Sequence, residues 1–481
     1  MAAASTALAL LPASAAAQAP APAPDPLVPS PAPAPAPPST GGTAPQPTPA
    51  QAPQRAPKPV LEPRRRTVPG QLAALRAAGL ITPATHDTAR GRYAAARTTR
   101  ARLSGRRRVE LTSVLKTLEA VTRRGELSST RVPLAFETLE RNRQWWTTGA
   151  LLGYGARVGF RDSELVWQSY PGQGIQVQWL GTFGKANALF TGRTFDGRLR
   201  ALLDEALALG AARAGGLAFE SWFEFGGGRP PWVSSLSQGT GLQALSRAGI
   251  RLGDSRYLEA ARTALGIFQT KPPAGVRLPT PAGAHYLQYS FSPRLRIVNG
   301  FVQALNGLHD FGALANDAEG RALFAAGEAQ LRAELPRADT GAWSRYAVGG
   351  RESDLGYHRL LRDFLRGLCE RTSEKLYCET ATRFTADLTR APVLALVIPP
   401  KPARKGKPLR VAFTLDKVST VSLVATRAGK LVFARTARFA RGRHRFALPK
   451  PSKAGTLVLR LRAVDPAGNV GGVAGRLAVR R

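Results

Sequence analysis

The sequence predicts a mainly α-helical protein with a short β region and a C-terminal all-β domain. Between residues 64 and 390, apolar residues recur at helical spacing except around 160–190, and from residue 198 onward candidate helices follow one another in pairs. From residue 392 onward, apolar and polar residues alternate, which is typical of strands. Helix pairs joined by short loops favour an α/α toroid. About 90 residues with several strands favour an immunoglobulin-like sandwich.

The first 63 residues are predicted to lie outside any folded domain. Residues 1–19 are similar to a signal peptide, with a short apolar run followed by small residues, although no Lys or Arg precedes Arg55. Residues 20–63 are dominated by Ala-Pro repeats, which predict an extended linker without a core. The signal-peptide-like segment leads us to expect a secreted protein or one associated with the cell surface or wall. No stretch of the chain reads as a membrane span.

The predicted elements follow in chain order. Residues 64–150 read as helices, and Val109–Thr122 has four apolar residues on one face. Residues 160–190 alternate from Leu165 to Trp179, which predicts short strands. The candidate helices of the toroid are Leu199–Ala214, Ser234–Ala248, Tyr257–Gln269, Ile297–Phe311, Ala318–Glu334, Gly356–Arg371 and Glu379–Thr389.

The charge of the chain is strongly positive. The formal net charge is +36 and the pI about 11.5, which favours an anionic partner such as nucleic acid, acidic lipid or acidic polysaccharide. No zinc-finger spacing or aromatic RNA-binding motif supports nucleic acid. Residues 392–481 carry seven lysines and thirteen arginines against two aspartates, a net +18. This domain is therefore predicted to anchor a polyanion; the alternative is a spacer with a soluble basic surface.

Cysteine and histidine are sparse. Cys369 and Cys378 are nine residues apart, which predicts a disulfide closing a helix–turn–helix if the protein is exported, or else two buried thiols. The five histidines are scattered without metal-ligand spacing, so no zinc site is predicted.

A candidate site lies in Leu335–His358. This segment holds Tyr346 and Tyr357 with Arg345 and Arg351 beside and between them, and three glycines break it into turns. A turn-rich segment between helices is a common place for a binding or catalytic site. The alternative is that the tyrosines are half-buried packing residues and the arginines a solvated face.

Three stretches together resemble one protein family. LPRADTGAWSRY (Leu335–Tyr346), followed by a Tyr-His pair at 357–358, resembles the closing segment of the D-glucuronyl C5-epimerase family. Pro230–Ala244 (PPWVSSLSQGTGLQA) resembles that family's Trp-x-Ser-x-x-x-Gln-Gly segment, and Tyr289–Leu308 (YSFSPRLRIVNGFVQALNGL) its Tyr-then-Asn-Gly-Phe helix. The stretches occur in the family's order over about 130 residues.

The resemblance implies an epimerase that inverts C5 of a uronate in an acidic polysaccharide. Such a reaction removes H5, α to a carboxylate, and returns a proton to the opposite face, so it needs a base, an acid and cations but no redox cofactor. By resemblance, the catalytic residues are Tyr289, Tyr346 and Tyr357. A tyrosine base needs a lowered pKa, which nearby arginines can supply while they also bind the substrate carboxylate.

Residues inside or beside the three motifs are expected to bind substrate. They are Trp232, Gln238, Gln288, Arg294, Asn299, Arg345, Arg351 and His358. Gln288 stands where the family has glutamate. Glutamine cannot accept a proton, so either tyrosine does all the proton transfer or activity is altered. Two alternatives stay open: a polysaccharide lyase on the same fold, and a non-catalytic glycan-binding wall protein.

Overall fold

The computed structural model describes residues 66–193, 195–399 and 401–481. The signal peptide and linker predicted for residues 1–63 lie outside these ranges. Within them, no helix is both long and apolar enough to cross a membrane. A mainly helical body extends to Asp387 and a sheet-rich domain begins at Leu394, which confirms the predicted succession of fold types.

Four helices open the helical body: α1 (Val68–Ala77), α2 (Pro83–Arg102), α3 (Gly105–Arg123) and α4 (Val132–Thr148). Thr67 and Thr82 define the starts of α1 and α2, because each side chain accepts a hydrogen bond from a first-turn N–H. A proline follows each threonine within two residues, at a position that needs no N–H donor. In α3, Leu111, Leu115 and Leu118 share the buried face. The helical spacing of the sequence therefore identifies the core-facing side of this region.

A three-stranded antiparallel sheet follows, made of β1 (Arg157–Phe160), β2 (Ser163–Tyr170) and β3 (Gly174–Val177). The strand prediction for residues 160–190 is right up to Val177 and wrong beyond it, because α5 spans Trp179–Thr191. Trp179, Phe183 and Ala186 are buried on one face of α5, at spacings that only a helix satisfies. Trp179 continues the alternation of the strand residues and also lies on the buried face of α5. The alternating pattern therefore extends to the first residue of the helix.

The rest of the body consists of helices and two short hairpins. Its elements are α6 (Asp196–Ala208), β4 (Ala211–Arg213), β5 (Gly216–Ala218), α7 (Ser235–Leu252), α8 (Ser255–Ala264), α9 (Gly266–Gln269), β6 (Arg277–Thr280), β7 (Gly283–Tyr286), α10 (Val298–Leu314), α11 (Ala318–Ala338), α12 (Leu355–Thr372) and α13 (Lys375–Asp387). A disulfide between Cys369 and Cys378 joins α12 to α13.

Helices α7 and α10 are in close contact through glycines. A Cβ at Gly239 would lie 2.6 Å from Cα of Ala304, and a Cβ at Gly307 would lie 2.0 Å from the carbonyl oxygen of Gly239. Any larger residue at either position would force the helices apart. Both glycines belong to the motif stretches, so part of the motif pattern serves helix packing.

The sheet-rich domain contains two sheets around one core. Its strands are β8 (Leu394–Val397), β9 (Ala403–Arg404), β10 (Leu409–Leu415), β11 (Ser419–Arg427), β12 (Lys430–Phe439), β13 (Gly442–Leu448), β14 (Gly455–Val464) and β15 (Val470–Arg480). One sheet has the order β13-β10-β8 and the other β12-β11-β14-β15-β9. Alternate residues of β10 and β11 are buried, and Phe413, Leu423 and Leu459 belong to one hydrophobic cluster.

Buried polar groups hold the two parts of the chain together. Lys417 is fully buried, and its Nζ lies 2.7 Å from Oδ2 of Asp465 and donates to the carbonyl oxygens of Asp387 and Arg390. Glu352 of the helical body accepts hydrogen bonds from the backbone N–H groups of Val418 (2.8 Å) and Arg441 (2.7 Å). These contacts fix the β domain against the segment that contains Tyr346.

Candidate active site

Seven aromatic side chains form a cluster, called here the aromatic cluster, between the three-stranded sheet and the loops before α7 and α10. Its members are Tyr154, Tyr170, Phe223, Phe225, Trp232, Tyr289 and Phe291. Tyr170 stacks on Phe223 with ring centroids 4.2 Å apart, and Tyr289 stacks on Phe291 at 5.4 Å. Tyr289 remains partly exposed while Tyr170 is buried, so the cluster has an accessible side. Flat aromatic faces of this kind pack well against sugar rings.

Tyr289 and Tyr346 meet at the N-terminal end of α10. The backbone N–H of Val298 donates to the carbonyl oxygen of Tyr346 at 3.2 Å, and the backbone N–H of Val348 donates to the carbonyl oxygen of Arg296 at 2.9 Å. This pairing ties the turn-rich segment to the residues just before α10. As a result, the side chain of Tyr346 is a hydrogen-bond partner of Tyr289.

Tyr357 joins this pair from the start of α12. Its ring lies 4.7 Å from the ring of Tyr346, centroid to centroid. Asp354 positions it by capping α12, since Oδ1 accepts from the Tyr357 N–H at 2.9 Å. The three tyrosines predicted as catalytic therefore form one contiguous set, Tyr289 to Tyr346 to Tyr357.

The environment of Tyr289 favours its neutral phenol. Burial raises the pKa of Tyr289 well above its ordinary value, and Tyr346 raises it further, while the hydrogen bond from Gln288 opposes the rise. Burial also raises the pKa of Tyr154 and Tyr170. Two phenols in contact do not both ionise, because like charges repel in a poorly solvated site. Tyr289 therefore keeps its proton in the resting site.

Two buried amide groups beside Tyr289 have unused hydrogen-bonding capacity. Gln288 Nε2 donates to the Tyr289 hydroxyl at 3.0 Å, whereas Gln288 Oε1 has no partner among the described residues. Asn299 Oδ1 accepts from Gly300 N–H at 2.9 Å, and its buried Nδ2 likewise has no partner in the described part of the chain. Buried polar groups are nearly always paired, so these two atoms are candidates for contacts to substrate hydroxyls.

The four arginines near the tyrosines are in different environments. Arg296 is paired with the buried Glu334, Nη1 to Oε1 at 2.7 Å, while Arg294 is exposed. Arg345 Nη1 donates to the carbonyl oxygen of Gly350 at 2.6 Å, inside the turn that carries Tyr346. Arg351 is exposed and its carbonyl oxygen accepts from Tyr346 N–H at 3.0 Å. Arg345 and Arg351 are thus the cations built into the tyrosine segment.

Three of the predicted binding residues hold structure together. Gln238 is buried, with Nε2 donating to Leu217 O at 2.6 Å and Oε1 accepting from Phe219 N–H at 3.2 Å, which ties α7 to the chain at β5. Trp232 lies in the aromatic cluster, and its Nε1 donates to Phe223 O at 2.8 Å.

His358, the third, is fully buried between two rings. It stacks on Trp343 at 3.8 Å between centroids, and its ring nitrogens contact Ser344 Oγ (2.9 Å) and Phe384 O (3.0 Å). Burial lowers the pKa of His358 to about 4.

The buried neutral His358 predicts a loss of stability in acid. An unfolded histidine titrates near pH 6.5, so the contribution of His358 is complete above about pH 6.5 and is lost as the pH falls towards 4. We expect a loss of up to about 3 kcal/mol over that range. Urea unfolding at several pH values measures it. H358Q should flatten the slope, and H444Q, at a partly exposed histidine, should not; equal slopes in wild type and H358Q would contradict the assignment.

Sequence reasoning missed two tyrosines of the site. Tyr154 precedes β1 and Tyr170 ends β2, and their ring centroids lie 5.6 Å apart. The charge of Tyr154 raises the pKa of Tyr289, and the charge of Tyr289 raises the pKa of Tyr170. The aromatic residues near Trp232 stand out in the sequence, but no local signal joins Tyr154 and Tyr170 to them. Across the described residues, no group of three or more His, Cys, Asp or Glu side chains is placed to hold a metal ion.

The geometry describes a helical domain with a tyrosine-lined aromatic site, and part of this domain is similar to a known family. Residues 217–386 match the family model described as the D-glucuronyl C5-epimerase C-terminus. The resemblance predicted from the three motif stretches is thereby confirmed, since all three lie inside or overlap the range that matches this family model. Tyr289, Tyr346 and Tyr357 fall inside the matched range, whereas Tyr154 and Tyr170 precede it.

Individual relatives match shorter parts. The D-glucuronyl C5-epimerase of Caenorhabditis elegans is 32% identical over 130 residues, covering 24% of this chain and 21% of that protein. An uncharacterized protein of Methanocaldococcus jannaschii is 27% identical over 151 residues, covering 30% of this chain and 49% of that protein. The matches thus span about a fifth and about half of these relatives.

Solved structures offer only distant similarity. An endo-β-1,4-glucanase from Acetobacter xylinum has a TM-score of 0.32 at 14% identity, covering 44% of this chain and 68% of that one. A cellobiose 2-epimerase from Bacillus thermoamylovorans has a TM-score of 0.30 at 12% identity, covering 44% and 58%. At these scores the similarity supports no argument about this chain.

Proposed function

We propose that the protein is an exported C5-epimerase that inverts uronate residues within an acidic polysaccharide. One observation carries the proposal: Tyr289 and Tyr346 are hydrogen-bond partners at the edge of an aromatic cluster, inside the segment that matches the epimerase family. The match of residues 217–386 to the epimerase family model supports an epimerase-type isomerase. The tyrosine chemistry is the finer part of the proposal and follows from the environment of each phenol.

In the proposed mechanism, the uronate ring enters between the two phenols and replaces their mutual hydrogen bond. The Tyr346 phenolate takes H5, and the electrons of the C5–H bond move into the carboxylate to give an enediolate-like charge. Tyr289, held neutral by its surroundings, gives its proton to the opposite face of C5. Exchange of one proton between the phenols through solvent then restores the starting state, so the reaction consumes no co-reactant.

The cationic and amide groups have complementary roles in this proposal. Arg345 and Arg351 flank Tyr346 in the chain and supply positive charge for the phenolate and the substrate carboxylate. Gln288 donates a hydrogen bond to the Tyr289 hydroxyl, which positions that phenol without taking a proton. Proton transfer therefore falls to the tyrosines alone.

We also propose the overall setting of this activity. The paired helices of the body form an α/α toroid, and the two-sheet domain is immunoglobulin-like. The basic β domain, with a net charge of +18 over residues 392–481, retains an anionic polymer. The protein acts outside the cell, at the surface or the wall, and uses no redox cofactor.

The direct test is isotope exchange at C5. The full chain is incubated in deuterated water with several uronate polymers, such as hyaluronate, heparosan and alginate, and H5 is followed by NMR. We expect deuterium at C5, inversion of that centre and an intact chain with at least one polymer. Chain cleavage with unsaturated uronate absorbance would replace the epimerase by a lyase. Binding without any exchange would leave a glycan-binding protein.

A further inference from the structure

A cleft of about 480 Å³ separates the helical body from the β domain. Its volume lies within the range of small-ligand sites, about 300–1,000 Å³. The charged residues that line it are Arg345, Arg351 and Glu352 from the helical body and Asp416, Arg441 and Arg443 from the β domain. Both parts of the chain are thus needed to form it.

The balance of charge in the cleft is positive. Four arginines face two carboxylates, and both carboxylates accept hydrogen bonds from backbone at the junction. Glu352 bonds to Val418 and Arg441 N–H groups, and Asp416 Oδ1 accepts from Val393 N–H at 2.8 Å. The two carboxylates therefore fix the backbone on both sides of the cleft, and the four guanidinium groups give the cleft a net positive charge. Planar guanidinium groups bind carboxylate and sulfate oxygens in pairs.

The cleft and Tyr346 share one segment of the chain. Arg345 and Arg351 line it, while Tyr346 lies between them in sequence and its N–H donates to Arg351 O. An isolated bridge pairs Arg345 with Glu352, so the turn is a hairpin shared by the two sites. Asn469 Nδ2 donates to Leu388 O at 2.8 Å and, with the buried Lys417, keeps the β domain docked beside this hairpin.

We propose that the cleft is a binding subsite for an anionic sugar of the same polymer, one that lies next to the reacting uronate. The β domain then forms part of the substrate path, with Arg441 and Arg443 contacting carboxylate or sulfate groups. This inference rests on the proposed epimerase function for the identity of the polymer. It adds a specific site to the general charge attraction of the domain.

The test compares two variants with equal changes in charge. R441Q/R443Q removes the two guanidinium groups of the cleft and keeps the Arg441 backbone N–H that bonds Glu352. R435Q/R438Q removes two exposed arginines of β12 in the same domain, outside the cleft lining. Binding of hyaluronate, heparosan and alginate to the full chain is measured at several salt concentrations, with neutral dextran as reference. C5 exchange kinetics follow in parallel.

We expect R441Q/R443Q to weaken binding of the responsive polymer by about tenfold or more, since two charge-assisted hydrogen-bonding groups are lost. KM should rise with kcat nearly unchanged, and the salt dependence should become shallower. R435Q/R438Q should have a much smaller effect. Equal effects of both pairs, or no effect of the cleft pair, would overturn the subsite, as would failure of every polymer to bind.

The same experiment separates this inference from the epimerase proposal. If no polymer shows C5 exchange but R441Q/R443Q still weakens binding more than R435Q/R438Q, the catalytic proposal fails and the subsite stands. If exchange occurs and the two variants behave alike, the subsite fails and the catalytic proposal stands.

Discussion

Replacing Tyr346 by phenylalanine is expected to slow C5 proton exchange by about 10²–10⁴-fold, the range that loss of a general acid or base produces. The substitution removes one hydroxyl and leaves the ring that contacts Tyr357 at 4.7 Å. Polymer binding should change little, because Arg345 and Arg351 remain. NMR in deuterated water measures the exchange rate, and equilibrium binding of the same polymer provides the second reading.

Tyr289 gives a contrasting variant. In Y289F the base is intact and the acid is lost, so a D-glucuronate substrate should still exchange H5 on the side of the base while inversion is lost. Y377F serves as control, because the Tyr377 hydroxyl contacts Glu328 at 3.2 Å and lies outside the aromatic cluster. Normal exchange in Y346F would remove Tyr346 from the mechanism. Normal inversion in Y289F would remove Tyr289 as the acid.

The convergence of the three predicted tyrosines could be anticipated because each lies in a recognisable motif. The motifs do not show why the three tyrosines come together in the folded chain. Tyr346 reaches Tyr289 through backbone pairing of residues 296–298 with 346–348, and such pairing depends on the folded path of the chain. The motif glycines are likewise explained by the close contact of α7 and α10, which only the structure reveals.

The remaining site residues could not be found from sequence for physical reasons. Tyr170 precedes Tyr289 by about 120 residues, and local periodicity carries no information about contacts at that separation. Conversely, Gln238 and His358 looked like cleft residues because they are polar and lie within motifs. In the structure their hydrogen bonds go to backbone and Ser344, since a buried polar group must be satisfied wherever it lies.

Lys417 illustrates the same limit at the domain junction. In the sequence Lys417 lies between two stretches that alternate like strands, a position at which a lysine side chain is usually exposed to solvent. In the structure its Nζ is buried, 5.4 Å from the Trp343 ring and in contact with Asp465 and two carbonyl oxygens at the end of the helical body. A charge in this position is compensated only by partners from both domains. It therefore couples their stabilities.

The variant K417M should accordingly destabilise the protein by about 3–5 kcal/mol, the usual result when one partner of a buried ion pair is removed. The methionine fills similar space but leaves the Asp465 carboxylate without its cation and two carbonyl groups without a donor. All seven tryptophans precede residue 390, so fluorescence reports the helical body, while circular dichroism also reports the β domain. The two denaturation curves should coincide in wild type and separate in K417M, with the β domain unfolding first.

Two further variants decide whether the buried pair is the cause. K375M removes the lysine of an exposed pair with Glu379, whose atoms lie 3.6 Å apart, and should leave the curves unchanged because solvent screens such pairs. The double variant K417M/D465N removes the unpaired charge, so its loss of stability should be smaller than the sum of the single losses. If K417M unfolds like wild type, or if the double variant is simply additive, then the junction depends on contacts other than this ion pair.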